Sequence, residues 1–164
     1  MSNNTIRNAD ENDFDFVYNL YMHPQNNGYL LYEHMPPESF RKIFNELISQ
    51  QIKFIYERDG KPVGMCKLIP LAHRTSHIVY LGGLAIHPEL AGKGYGYDML
   101  LEIIQYVKEK GFLRIELSTA STNGRAISLY EKAGFVKEGI LRKYSYLESE
   151  DRFLDETIMS YLYP

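Results

Sequence analysis

The stretch Leu84-Ala85-Ile86-His87-Pro88-Glu89-Leu90-Ala91-Gly92-Lys93-Gly94-Tyr95-Gly96-Tyr97 constrains this chain more than any other. An apolar run ends at Ile86, Pro88 turns the backbone, and Gly92, Gly94 and Gly96 alternate with Lys93 and Tyr95. Leu100, Ile103, Ile104 and Val107 then recur at helical spacing, which predicts a helix from about Asp98. Strand, glycine loop and helix start together make an anion cradle. Glycine lets the backbone approach a ligand closely, and the first N–H groups of a helix have no partner within it. The fold must therefore place a strand end against a helix N-terminus.

The surrounding pattern alternates between extended and helical periods. Thr5-Ile6-Arg7 reads as a first strand, and Asp10 or Asn12 can cap a helix carrying Phe14, Val17, Tyr18 and Tyr21. His23 to Gly28 breaks that helix, and Tyr29 to Met35 is irregular and aromatic. Pro36-Pro37 opens a second helix with Phe40, Ile43, Phe44, Leu47 and Ile48 as its stripe. Lys53 to Arg58 and Pro62 to Pro70 are strands joined by the hairpin signal Asp59-Gly60. Ile78 to Ile86 feeds the glycine loop, and its helix stops at Lys108-Glu109-Lys110-Gly111. Leu113 to Ser118 is a strand, Asn123 caps a last helix ending at Gly134, and Phe135 to Tyr146 and Phe153 to Tyr163 form a final hairpin. The expectation is one α/β domain over residues 1–164, with a mixed, mostly antiparallel twisted sheet of about seven strands flanked by about four helices.

Composition narrows the function. Apolar residues at 45% and charged residues at 24% suit a packed globular core. Eighteen basic and 21 acidic side chains leave a net charge of -3, which disfavours nucleic acid and anionic membranes as partners. A single cysteine, Cys66, excludes an internal disulfide framework and a multi-cysteine zinc site. No apolar run reaches membrane-spanning length, and Met1-Ser2-Asn3-Asn4 does not open a signal peptide, so a cytoplasmic protein is expected.

Two phosphate ligands are disfavoured by the loop itself. A P-loop needs a glycine five residues before its Gly-Lys pair and Ser or Thr after the lysine; here those positions are His87 and Gly94. A dinucleotide fingerprint begun at Gly92 would need its third glycine at Tyr97. Glu116 lies at about the right offset for a ribose-binding acid, but the loop follows a meander of strands rather than opening a βαβ series.

A second motif follows one strand later: Asn123-Gly124-Arg125-Ala126-Ile127-Ser128-Leu129-Tyr130-Glu131-Lys132-Ala133-Gly134-Phe135. With Ala91-Gly92-Lys93-Gly94-Tyr95-Gly96, it resembles the GNAT superfamily of acyl-CoA-dependent N-acyltransferases, and the order of elements agrees along the whole chain. Glu138 to Arg142 and Asp155-Glu156 with Met159 are similar to members that acetylate protein N-termini or small amino acids. The resemblance implies acetyl-CoA as cosubstrate and no metal. Backbone groups of Leu84, Ala85 and Ile86 would hold pantetheine and polarise the thioester carbonyl. Ala91, Gly92, Lys93, Gly94, Tyr95, Gly96 and Tyr97 would cradle the pyrophosphate, Asn123 would touch pantetheine, and Tyr130 would serve the sulfur. Ala91 departs from the Arg or Gln usual at that place, which removes one supporting polar contact.

The chemistry implied is transfer of an acetyl group to a primary amine by direct attack in a ternary complex. The acceptor would be a small amine or amino acid, or a peptide N-terminus, and the protein a monomer or homodimer. Tyr130 as general acid is feasible: a phenol near pKa 10 protonating a thiolate near 8.5 is uphill by only about 2 kcal/mol. An α-amine is already roughly a tenth neutral at pH 7, whereas a lysine-like amine needs a base. Glu33 is one candidate base, beside His34, His77 and Tyr80. Simpler readings stand beside these. Tyr130 suits a core position, Glu33 and His34 a solvated loop, and Cys66 a small core residue; His73 and His77 have ligand spacing but no evident third ligand. Two rival functions remain open: a non-catalytic acyl-CoA-binding or sensing module, favoured by Ala91, and a domain using the loop for ATP or NAD.

Overall fold

The computed structural model describes residues 3–164. Its strands are β1 (Asn4–Asn8), β2 (Lys53–Arg58), β3 (Lys61–Pro70), β4 (Ile78–Ile86), β5 (Arg114–Ala120), β6 (Val136–Leu147) and β7 (Arg152–Leu162). The α-helices are α1 (Phe14–Met22), α2 (Pro24–Asn27), α3 (Pro37–Ser49), α4 (Tyr95–Glu109) and α5 (Gly124–Lys132). The strands form one seven-stranded sheet in the order β1-β2-β3-β4-β5-β7-β6. β4 and β5 are parallel, while β1–β2, β2–β3, β5–β7 and β6–β7 are antiparallel. The mixed, mostly antiparallel sheet is the one expected.

The described residues hold five α-helices, in keeping with the expected four or so; the additional short one lies in the break after α1. His23 is extended, which ends α1, and its Nδ1 accepts the Gln25 N–H at 3.1 Å, which starts α2 with Pro24 at its first position. Asn27 closes the corner by donating through Nδ2 to the Tyr21 and Tyr32 carbonyls at 2.9 and 3.0 Å. One difference concerns α4, which begins at Tyr95 rather than near Asp98. The Asp98 N–H already donates to the Gly94 carbonyl at 3.1 Å, so Tyr95, Gly96 and Tyr97 are its first turn.

The chain forms two compact units, one made of the chain up to Leu68 with Gly83–Ile103 and the other of Ile69–Gly82 with Ile104–Pro164. In the first, Phe14, Val17, Leu20 and Tyr21 of α1 and Phe40 and Phe44 of α3 pack with Ile55, Met65 and Ala85 of the strands. Phe14 meets Phe44 edge-on at 5.2 Å between centroids, a geometry favourable to the ring quadrupoles. Asp13 before α1 accepts two hydrogen bonds from Arg7 of β1, at 2.8 and 2.9 Å. Asp59 and Gly60 both take positive φ, 52° and 80°, the pair of left-handed residues a tight β2–β3 hairpin requires.

In the second unit β5 pairs with β7 over its full length, burying Ile115, Leu117 and Met159. β6 is almost wholly exposed and pairs with β7 through two irregularities. Lys143, at φ 50°, sits in the second of these and donates its N–H to Asp155 Oδ1 at 2.8 Å.

Candidate active site

The end of β4 is set by a glycine on β3. A Cβ on Gly64 would lie 2.8 Å from Ile86 Cδ1 and 2.9 Å from both the Ala85 carbonyl and Met99 Sδ. Only glycine lets β3 lie this close to the β4 end and α4. The His87 N–H donates to the Val63 carbonyl at 2.9 Å and fixes the strand exit. A 3-10 turn over Pro88–Leu90 follows, with His87 Nδ1 accepting the Glu89 N–H. Ala91 is extended and exposed.

Gly92 and Gly94 have φ of +81° and +80°, with nothing within 4 Å of where a Cβ would stand. Their use is therefore conformational: both turn left-handed without steric cost, on an exposed loop at the mouth of a 15-residue helix. The turn is narrower than the sequence suggested. Gly96 is helical, so the loop closes at Gly94. From β2, Arg58 fastens the first turn of α4, its guanidinium 4.1 Å from the centre of the Tyr95 ring and 2.9 Å from Asp98 Oδ2. Arg58 also donates to Tyr56 Oη at 3.1 Å.

Leu84, Ala85, Ile86 and the residues from Ala91 to Tyr97 thus belong to the first unit, and Asn123 and Tyr130 to the second. Asn123 is the N-cap foreseen: its Oδ1 accepts the Ala126 N–H at 3.2 Å. Tyr130 is 8% exposed, with its ring 5.8 Å from that of Phe135. The Phe135 N–H donates to the Tyr130 carbonyl, which seals the end of α5.

The base candidates differ in setting. Glu33 is half-buried in the irregular segment between α2 and α3, and His34 beside it is exposed. His77 is exposed, its carbonyl accepting the Leu113 and Arg114 N–H groups. Tyr80 is half-buried and lies 3.1 Å from Ser118 Oγ, which donates to Glu156 Oε1 at 2.7 Å. With that serine proton committed to Glu156, Tyr80 donates to Ser118, and a carboxylate stands two hydrogen bonds behind the phenol. Burial raises the Tyr80 pKa, and the Ser118 bond works the other way. Ser118 and Glu156 carry no sequence signal for this role.

Cys66 is buried, and burial pushes its thiol up to about 12. Among the described residues no group of three or more His, Cys, Asp or Glu side chains could hold a metal ion, and no helix is long and apolar enough to cross a membrane.

A strand led past a glycine into a left-handed two-glycine turn and a long helix is thus followed, one strand later, by an asparagine-capped helix. The Acetyltransferase (GNAT) family model matches residues 14–135, and the chain belongs to that family. It is 30% identical over 147 residues to a spermidine N(1)-acetyltransferase of Vibrio cholerae, covering 84% of this chain and 81% of that protein. It is 26% identical over 144 residues to an uncharacterized N-acetyltransferase of Methanocaldococcus jannaschii, of which it spans 63%. It spans 55% of a prophage-derived uncharacterized N-acetyltransferase of Bacillus subtilis that is 31% identical over 100 residues, 60% of this chain. The fold matches a spermidine N-acetyltransferase from Vibrio cholerae, solved in complex with CoA and spermine, with a TM-score of 0.84, 24% identity, and coverage of 97% of this chain and 95% of that one. A ribosomal-protein-alanine N-acetyltransferase from Brucella melitensis matches with a TM-score of 0.79, 21% identity, and coverage of 97% and 99%.

Proposed function

We propose that this protein transfers an acetyl group from acetyl-CoA to a primary amine by direct attack. The observation that carries the reading is the Gly92–Gly94 turn, left-handed twice, exposed and open, at the start of α4. N–H groups of the turn and of Tyr95, Gly96 and Tyr97 cradle the CoA pyrophosphate, favoured by the positive end of the helix dipole. Lys93, exposed between the two glycines, adds charge without needing a fixed pose. Ala91 contributes backbone alone.

The ladder between β4 and β5 is formed over Ile78–Tyr80, a register that does not engage Leu84, Ala85 and Ile86. Their backbone groups hold the pantetheine arm and polarise the thioester carbonyl, where negative charge develops during attack. In this reading Asn123 serves the pantetheine and Tyr130 gives its proton to the departing thiolate. The chain Tyr80–Ser118–Glu156 supports a relay that takes the amine proton to a carboxylate; Glu33 is the competing base.

The test is binding followed by turnover. Acetyl-CoA raises the melting temperature while ATP and NAD do not, and amines then release free thiol. Stabilisation by ATP or NAD alone rejects the reading. Stabilisation by acetyl-CoA without thiol release from any amine favours a sensing module, the alternative to which the Ala91 departure points.

A further inference from the structure

We propose that the acceptor amine carries a carboxylate, received by the Lys53–Lys67 pair beside Gly83; this rests on the acetyltransferase reading and names its substrate class. Lys53 and Lys67 are register partners on β2 and β3, so two ammonium-bearing side chains stand directly opposite each other. They are 1% and 5% exposed. Their hydrogen bonds go to phenols: Lys53 Nζ donates to Tyr21 Oη at 2.7 Å and Lys67 Nζ to Tyr32 Oη at 3.4 Å. The same ammonium groups lie 4.3 and 5.1 Å from the centres of those two rings.

Burial lowers the pKa of both lysines, and at Lys53 the neighbouring Lys67 lowers it further, while the Cys66 thiol opposes this. Burial is the largest cause at both lysines. A buried like-charged pair with phenol partners is an expensive arrangement for structure alone, since apolar residues of the same length would fill the space. It makes sense as half of a site.

The other half is β4. Gly83 has φ +53°, and a Cβ there would lie 2.8 Å from Tyr21 Oη, 3.4 Å from Lys53 Nζ and 3.5 Å from Lys67 Cε. The cluster therefore touches β4 one residue before Leu84-Ala85-Ile86, the stretch assigned to the thioester. An acceptor held by this cluster has its amine near the carbonyl it attacks.

The chemistry of the cluster selects the ligand. Two ammonium groups and two phenols offer donors throughout, which suits an anion. Like charges this close and this buried share less than their full charge, so a monoanion such as a carboxylate matches better than a phosphate dianion. A polyamine would bring a second cation against Lys53 and Lys67. Tyr32, in the irregular segment between α2 and α3, and Gly83 are the half-buried members of the cluster.

The test uses the full chain saturated with CoA and reads affinity by titration with N-acetyl-amino acids, their C-terminal amides and spermine. The expected result is that at least one N-acetyl-amino acid binds about tenfold or more tightly than its amide, and that Lys67→Met brings that ratio to about one. Methionine matches the lysine stem and removes a buried charge, so folding is retained; Lys53→Met is the second variant. The proposal is overturned if no carboxylate outbinds its amide, if the ratio survives both substitutions, or if spermine binds most tightly. Failure of the acetyltransferase reading shows separately, as a chain that CoA itself does not stabilise.

Discussion

Replacing Gly92 and Gly94 with alanine separates what the loop does for the fold from what it does for the ligand. Both have φ near +80°, and neither has an atom within 4 Å of where the new methyl group would stand, so the substitution meets no clash. The cost is the left-handed conformation, roughly 1–1.5 kcal/mol per residue for an L side chain. In the unliganded protein this exposed loop can relax into an ordinary conformation, and stability should fall by less than about 0.5 kcal/mol. With CoA bound the N–H groups must point inward, and the full penalty of about 2–3 kcal/mol appears as roughly 30- to 150-fold weaker binding. Gly111 is the control: it has φ +87° and open space at the end of α4, so Gly111→Ala should lower stability by about 1 kcal/mol and leave CoA affinity unchanged. Titration calorimetry with CoA and thermal melts measure both quantities. If the Gly92→Ala/Gly94→Ala protein binds CoA like the wild type, the loop is not the pyrophosphate seat.

Tyr130→Phe keeps the ring against Phe135 and removes the proton, so kcat should drop by about 10²-fold or more with KM for acetyl-CoA nearly constant; equal kcat removes Tyr130 from the mechanism. Lys53 has a depressed pKa in the fold, so the unfolded state holds more protons between that pKa and 10.5, and stability rises with pH across this window. Per proton the slope is about 1.4 kcal/mol per pH unit, and it should shrink in Lys53→Met; losing the Tyr21 partner shifts the level of the curve and not its slope. With its thiol raised to about 12 and buried, Cys66 should resist a disulfide reagent at pH 8 until the chain is unfolded, which leaves thiol-release assays free of background.

Much of the architecture was legible because it rests on local chemistry. Asp59-Gly60 reads as a hairpin since few other pairs accept two positive φ values, and Asn123 reads as a cap because its side chain reaches only the next helical turn. The sequence places the start of α4 late because Gly96 is a poor helix former and the apolar stripe begins at Leu100; tertiary support from Arg58 overrides that propensity. Tyr80, Ser118 and Glu156 come together only through strand register, each step spanning 38 residues, which no periodicity shows. Lys53 and Lys67 escape a sequence reading for a related reason. Both strands are buried on both faces here, so alternation carries no information and a lysine beside an apolar run reads as exposed.

In the proposed reaction the acetyl group passes directly from CoA to an amine. The direct measurement is mass spectrometry of acceptor, protein and cofactor after incubation with acetyl-CoA and a mixture of amines. Direct transfer gives acetylated amine and free CoA in equal amounts, with the mass of the protein unchanged at every time point. Acetyl accumulating on the protein before any amine is added, or acetyl-CoA that binds and stays intact with every amine, would contradict it.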